Sequence, residues 1–271
     1  MKLAAVAAPF DRDLDADLDR IAAAVAAARA DGVRLVAFPE AALGGYLSDL
    51  DGDAPPPPAL RVDGPEIARL VEIAGDTVVV AGFCEDDGMQ QYNSAVAVGA
   101  GRVLGVHRKV HQPLSEDATY AAGRGFAAFD TPVGRVGMMI CYDKAFPEAA
   151  RALALDGAQI VVCVSAWPAA RTNADPDLAR DRWTRRLDLF DRARALENQV
   201  VWVSANQSGE FGSLRFVASA KIVDPGGEVL ATTGVGPGTA VADIDVPAAL
   251  EAARRYMGHL RDRRPHAYAA P

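Results

Sequence analysis

The chain has 271 residues, half of them hydrophobic, enough to bury a large core as one big domain or two small ones. A formal charge of −8 and a pI near 5.0 argue against nucleic acid or an anionic membrane as the main partner. Three cysteines, Cys84, Cys141 and Cys163, form an odd set without a pairing pattern, so a reducing cytoplasm is the expected compartment.

The opening stretch Met1-Lys-Leu-Ala-Ala-Val-Ala-Ala-Pro-Phe10 is too short to span a membrane, and Asp11-Arg-Asp-Leu-Asp-Ala-Asp17 follows at once. It reads as a first core strand over 3–8, not as a signal peptide. Apolar residues at helical spacing predict a helix over 14–30, with Asp13 as its N-cap. A strand over 33–38 ends in Pro39-Glu40. Four consecutive prolines within 51–58 require a loop or a polyproline stretch. A helix over 65–74 and a strand over 77–83 come next. Strands over 93–98 and 103–110 form a hairpin at Gly99-Ala100-Gly101. Residues 111–125 show no period. Strand pairing around Thr131-Pro-Val-Gly134 leads into the short apolar run Val136-Gly-Met-Met-Ile140. Pro147 suits a first helical position for a helix to Leu155, and a strand covers 159–165. A long helix over 177–198 carries alternating charges that predict a solvated face. Strands over 200–205, 217–223, 228–232 and 239–244, a turn at Asp224-Pro-Gly-Gly227, a helix over 247–256 and a basic tail over 261–268 complete the chain. With no long-period repeat and no dividing linker, one α/β domain over 1–271 is the expectation.

Chemistry gathers at strand ends, where open α/β sheets place their ligand sites. Cys141 stands where a strand turns toward a helix, a corner that exposes its side chain and, through the positive helix end, favours thiolate. The bland alternative is a small buried hydrophobe, as many free cysteines are. Cys84 and Cys163, inside apolar strands, are expected to be buried and inert. Glu40 and Lys109 close two other strands. Only four of 28 basic residues are lysines (Lys2, Lys109, Lys144 and Lys221), and glutamate supplies 10 of 36 acids. A chain that otherwise uses arginine keeps Lys109 for more than charge: a compact ammonium aims at an oxyanion better than a planar guanidinium. Thiol, carboxylate and ammonium together make a nucleophile–base–electrostatic set.

These residues resemble the nitrilase superfamily of carbon–nitrogen hydrolases. Phe38-Pro-Glu-Ala-Ala-Leu-Gly-Gly-Tyr46 is similar to its glutamate motif, His107-Arg-Lys-Val-His111 to its lysine motif, and Gly137-Met-Met-Ile-Cys-Tyr-Asp143 with Phe146-Pro-Glu148 to its nucleophile motif. Glu116-Asp-Ala-Thr-Tyr120-Ala-Ala-Gly123 matches a second glutamate that many members carry. Arg192-Ala-Arg-Ala-Leu-Glu-Asn198, Ala205-Asn206, Asp224-Pro-Gly-Gly227 and Asp262-Arg-Arg-Pro265 match further landmarks, so the resemblance runs nearly end to end. It implies a four-layer αββα sandwich that associates as αββα–αββα homodimers or larger homo-oligomers, with the tail over 257–271 at a subunit interface. It implies Glu40 as general base, Cys141 as nucleophile and Lys109 as transition-state stabiliser, the oxyanion resting on Lys109 and the Tyr142 N–H, and Glu116 positioning substrate or assisting proton traffic. The implied substrate is a small amide, ureido compound or nitrile, and no metal or organic cofactor is required. Tyr-Asp after the cysteine is commoner in the amidase and carbamoylase branches than in true nitrilases. Ala145, where deaminated-glutathione and ω-amidase branches carry arginine, argues against those particular substrates.

Tyr46, Tyr120, Lys144 and Trp167 are candidate substrate contacts; Lys144 either meets an anionic substrate group or is a solvated lysine at a helix start. Two other classes compete. A Cys–His hydrolase would take His107 or His111 as its base but leaves Glu40 and Lys109 unexplained. A non-catalytic binding protein on this fold would be expected to lose a triad member, and none is lost.

Overall fold

The structure, a computed structural model, describes residues 1–50 and 55–268, so the first part of the proline-rich segment, 51–54, and the end of the tail, 269–271, lie outside the described residues. The strands are β1 Lys2–Ala8, β2 Val33–Ala37, β3 Ala59–Leu60, β4 Val78–Asp86, β5 Gln91–Gly99, β6 Arg102–Arg108, β7 Ala128–Thr131, β8 Gly134–Ile140, β9 Ile160–Ser165, β10 Val201–Phe211, β11 Leu214–Val217, β12 Lys221–Val223, β13 Val229–Thr232 and β14 Gly238–Asp243. The helices are α1 Leu14–Ala30, α2 Pro65–Ala74, α3 Pro147–Leu155, α4 Arg182–Asn198 and α5 Val246–Arg254. No helix among the described residues is long and apolar enough to cross a membrane.

The strand order β6-β5-β4-β2-β1-β10-β9-β8-β7 describes a sheet folded back on itself. Among the described residues, the strands of its two halves pair where Ala7 meets Asn206 and Ala8 meets Gln207. Elsewhere along that seam β1 pairs with β14 and β10 with β12, so the halves diverge and lie face to face. Val78, Val80, Ala95 and Ala97 from one half and Met138, Ile140, Val162 and Val164 from the other share one buried core. The outer face of the first half packs through Val36, Val79 and Ala81 against Ile21 and Val25 of α1 and Ile67 and Leu70 of α2. The outer face of the second packs through Met139, Val161 and Trp202 against Ala150 and Leu153 of α3 and Ala195 of α4. The result is four layers, αββα. Central strands covered on both faces read as unbroken apolar runs, and Val78-Val-Val-Ala81 and Ile160-Val-Val-Cys-Val164 do so.

Most elements lie where the periodicity predicts, and Asp13 caps α1 by accepting from Ala16 N at 3.0 Å. Three expectations are corrected. The 177–198 helix begins only at Arg182, because Asp181 takes the N-cap position and accepts from Trp183 N. Its charged residues are not all solvated, since Asp191 and Arg194 are buried. The single strand over 217–223 is two, broken where Ala218 and Ser219 adopt φ of 54° and 59°.

Gly82 in β4 is the close approach on which the Glu40 loop rests. Gly82 N donates to Pro39 O at 3.0 Å, and Leu43 N donates to Gly82 O at 3.1 Å. A Cβ on Gly82 would lie 2.4 Å from Ala41 N and 2.6 Å from Glu40 Cα, with only backbone to give way. Gly82→Ala is therefore expected to cost about 1–3 kcal/mol or more, through overpacking. Gly125→Ala, where a Cβ meets nothing within 4 Å, should be tolerated. Thermal unfolding of the two variants side by side checks this; equal midpoints would show that the loop yields freely.

Candidate active site

The loop after β2 is held on both sides. Phe38 N donates to Val80 O at 2.7 Å and Glu40 N to Ser165 O at 3.3 Å, so the loop bridges β4 and the end of β9. Ala41, at φ 53°, then turns the chain away. The Glu40 carboxylate is fully buried. Its Oε1 accepts from Lys109 Nζ at 2.8 Å and Asn93 Nδ2 at 2.7 Å, and its Oε2 from Ala166 N at 2.6 Å.

Lys109 follows the last residue of β6. Its N–H donates to Asn93 O and its carbonyl accepts from Gly123 N, both at 2.8 Å. The ammonium is fully buried and reaches Glu116 Oε1 at 2.7 Å as well as Glu40. Burial opposes its charge, but Glu116 and Glu40 outweigh that and hold the lysine well above its ordinary range. Glu116 opens a single 3-10 turn, Glu116–Ala118. Its Oε1 also accepts from the Tyr46 hydroxyl, whereas its Oε2 is buried with no partner among the described residues. Burial pushes the Glu116 carboxyl up to about 7; Lys109 restrains the rise and the Glu40 charge adds to it.

Cys141 begins a 3-10 turn, Cys141–Ala145, directly after β8, at φ 48°, a conformation that a non-glycine residue holds only where its surroundings enforce it. Asp143 supplies the enforcement. Its carboxylate accepts from Ile140 N at 3.1 Å and His111 N at 2.9 Å, and faces His107 Nε2 at 3.2 Å and His111 Nδ1 at 2.8 Å. Burial works against the Asp143 charge, yet the two histidines hold its pKa well below the carboxylate range. Each imidazole thus spends a nitrogen on Asp143, and neither borders the cavity over Cys141, which removes the sequence-level case for a Cys–His pair. From behind, Arg194 of α4 donates to Lys144 O at 2.8 Å and Ala145 O at 3.1 Å. Desolvation outweighs the helix end that favours thiolate. Burial raises the Cys141 thiol well above its ordinary value and Glu40 adds to the rise, with Lys109 and Lys144 opposing. Four residues of the 3-10 turn and Phe146 stand between Cys141 and the α3 terminus, which weakens the helix-end effect.

A cavity of about 500 Å³ opens over Cys141. Tyr46, Tyr142 and Trp167 line it, together with Leu50, Leu114, Ala166, Trp183, Arg171 and Arg182. As second residue of its turn, Tyr142 carries an N–H for which a helical start offers no acceptor. Two expected substrate contacts are placed elsewhere. Lys144 is fully buried, bonded to Asp191 Oδ1 at 2.7 Å and Ser204 Oγ at 3.3 Å, with Asp191 shared by Lys221 at 3.0 Å. Tyr120 is buried beside Cys84 and does not border the cavity. Asn93 and the Ala166 N–H, both bonded to Glu40, escaped the sequence reading. Asn93 meets Glu40 only through strand pairing across β4 and β5, and Ala166 lies past β9 where no periodicity announces a site.

Residues 2–254 match the carbon–nitrogen hydrolase family. A protein named nitrilase from Pyrococcus abyssi is 35% identical over 219 residues, covering 79% of this chain and 78% of its own. An (R)-stereoselective amidase from a Pseudomonas species is 33% identical over 258 residues, 94% of this chain and 88% of its own. The crystal structure of a carbon–nitrogen hydrolase from Helicobacter pylori superposes with a TM-score of 0.86 at 25% identity, covering 99% of this chain and 96% of that one. With four αββα layers and a family match that spans residues 2–254, the chain belongs to the carbon–nitrogen hydrolases of the nitrilase superfamily.

Proposed function

We propose that the protein hydrolyses small linear amides through a thioester on Cys141. The observation that carries this reading is the Lys109 ammonium bound to both Glu40 and Glu116 beside the cavity that Cys141 lines. Glu40 takes the thiol proton as the sulfur attacks the amide carbon, and the oxyanion settles on Lys109 Nζ and the Tyr142 N–H. The departing nitrogen receives that proton from Glu40 and leaves as ammonia. Glu40 then draws a proton from water, whose oxygen attacks the thioester, and the sulfur recovers the proton as the acid leaves. Glu116, with one oxygen on Lys109 and Tyr46 and the other unpartnered, holds the amide nitrogen while it is protonated. Cys141-Tyr-Asp143 and this second carboxyl favour an amide over a nitrile, whose first addition expels no amine. We also infer a single domain acting in the cytoplasm as a homodimer, with the 257–271 tail at the subunit contact.

Ammonia release from matched amides and nitriles tests the reaction. The amide should be the faster substrate and Cys141→Ala should abolish turnover; faster conversion of the nitrile to its acid would place the protein in the other branch. Glu116→Gln should lower amide turnover by roughly 100-fold, the usual scale for a positioned acid–base group, while still allowing a reactive ester to acylate Cys141. Loss of both activities would make Glu116 structural instead. Because the resting thiol is protonated, inactivation by iodoacetamide should climb steadily into the alkaline range, with mass spectrometry placing the label on Cys141. A plateau near neutrality would mean a preformed thiolate, and label on Cys84 or Cys163 would reassign the nucleophile.

A further inference from the structure

The two oxygens of the Glu40 carboxylate are not equivalent. Oε1 accepts from Lys109 Nζ at 2.8 Å and from Asn93 Nδ2 at 2.7 Å. Oε2 accepts, among the described residues, from Ala166 N alone, at 2.6 Å. An ionised carboxylate offers about four lone-pair sites, two on each oxygen. Lys109 and Asn93 therefore fill Oε1, whereas Oε2 keeps one site open. The open site also belongs to the working side, since Ala166 and Cys141 border the cavity and neither Lys109 nor Asn93 does.

Asn93 is the unexpected member of this set. On β5 it shares a face with Ala95 and Ala97, both part of the core between the two sheets. The amide that ends this apolar row is buried, and burying an amide is costly unless it is bonded. The chain already holds Lys109 through the Asn93 carbonyl, a contact that most residues at this position would make. What the side chain adds is the second donor on Oε1. With Lys109 alone, that oxygen would keep an open site on the side away from the cavity, where a proton would settle against the ammonium and serve no reacting atom.

We propose that Asn93 is a positioning residue that directs the proton traffic of Glu40 onto Oε2. This rests on the amidase reading above. In acylation the S–H bond of Cys141 breaks and its proton forms an O–H bond on Oε2. The sulfur's electron pair forms the bond to the amide carbon, and the carbonyl π pair becomes the oxyanion. When the adduct collapses, the Oε2 proton passes to nitrogen as the C–N bond breaks. Water then gives a proton to the same oxygen in deacylation. Oε1 stays filled by Lys109 and Asn93 through every step, as carboxylate oxygen when Glu40 is charged and as carbonyl oxygen when it is neutral.

Two variants of the full-length protein test this on a small neutral amide, with kcat and KM measured from acid to alkaline pH. Asn93→Ala should lower kcat roughly tenfold to hundredfold, the scale of one hydrogen bond to a charged group, with KM little changed. Asn93→Asp has nearly the same shape, but its new carboxyl donates to Oε1 only while it keeps its proton. Once ionised, it repels the Glu40 charge instead. Its kcat relative to wild type should therefore be highest at acid pH and fall as pH rises, while the Asn93→Ala ratio stays level. Taking the ratio at each pH separates this trend from titrations that both proteins share, those of Glu116 and Cys141 among them. An amide with a structural role only would lower the unfolding midpoint without tying the Asn93→Asp ratio to pH. A level Asn93→Asp ratio, full kcat in Asn93→Ala, or failure of both variants to fold would overturn the proposal and leave the amidase reading standing. A wild-type protein that cleaves no amide at any pH would overturn both.

Discussion

The structure turns on one buried cation between two buried carboxylates. Lys109 Nζ lies 2.8 Å from Glu40 and 2.7 Å from Glu116, with all three side chains fully buried. Desolvating these groups is costly, and removing one partner of a buried pair typically costs roughly 3–5 kcal/mol because a charge is left uncompensated. The three groups arrive from separate places: the loop after β2, the end of β6 and a 3-10 turn after it. Their meeting requires that β4 carry no side chain at Gly82 and that Asn93 of β5 serve both strands, its carbonyl holding Lys109 N and its amide holding Glu40. Burial pushes the Glu116 carboxyl up to about 7, Lys109 restrains the rise and the Glu40 charge adds to it.

A second buried network holds Cys141. Cys141 at φ 48° is enforced from the front by Asp143, whose carboxylate ties Ile140, His107 and His111 together, and from behind by Arg194 on the carbonyls of residues 144 and 145. Lys144, Asp191 and Lys221 form a further ion cluster beneath the same turn. Strain at a reacting residue persists only where packing over-determines it. Here α4 contributes Asp191 and Arg194 to that task, so the long helix is a brace for the turn as much as an outer layer of the sandwich.

The site was legible in the sequence to the extent that strand ends were. Glu40, Lys109 and Cys141 each close a run with clear strand character; β2 and β8 pair in parallel with their neighbours, and β6, two antiparallel steps from β4, runs the same way as β4 and ends at the same edge. The scarcity of lysine proved informative about burial more than about one role. Lys109, Lys144 and Lys221 are all buried in ion pairs, and only Lys2, bonded to Asp31, is near solvent. The brace was illegible because charge alternation along 182–198 looks the same whether an aspartate faces water or a lysine 47 residues away in the chain. The thiol's surroundings were only half legible for a related reason: the helix end is a local signal, whereas desolvation by a folded-over sheet is not visible in any short window. The fold-over itself rests on two residue pairs between β1 and β10, contacts with no local signature at all.

These two networks also explain why a protonated resting thiol suits the proposed chemistry. With Glu116 protonated, the buried set of neutral thiol, Glu40 carboxylate and Lys109 ammonium carries no net charge. When Glu40 takes the thiol proton and the sulfur adds to a neutral amide, the carboxylate's charge disappears and the oxyanion's appears, with the Lys109 ammonium beside Glu40 throughout. The charge moves a short distance past a fixed cation, and the total stays zero. In a site of low polarity, where an unbalanced charge is expensive, this keeps reorganisation small as the tetrahedral adduct forms. A preformed thiolate beside the Glu40 carboxylate would instead put two negative charges on one ammonium before any substrate arrived. In the proposed reaction the same geometry that raises the thiol's pKa makes it a nucleophile only at the moment its proton has somewhere to go, and the proposed destination is Glu40, held in place by Asn93, Lys109 and the Ala166 N–H.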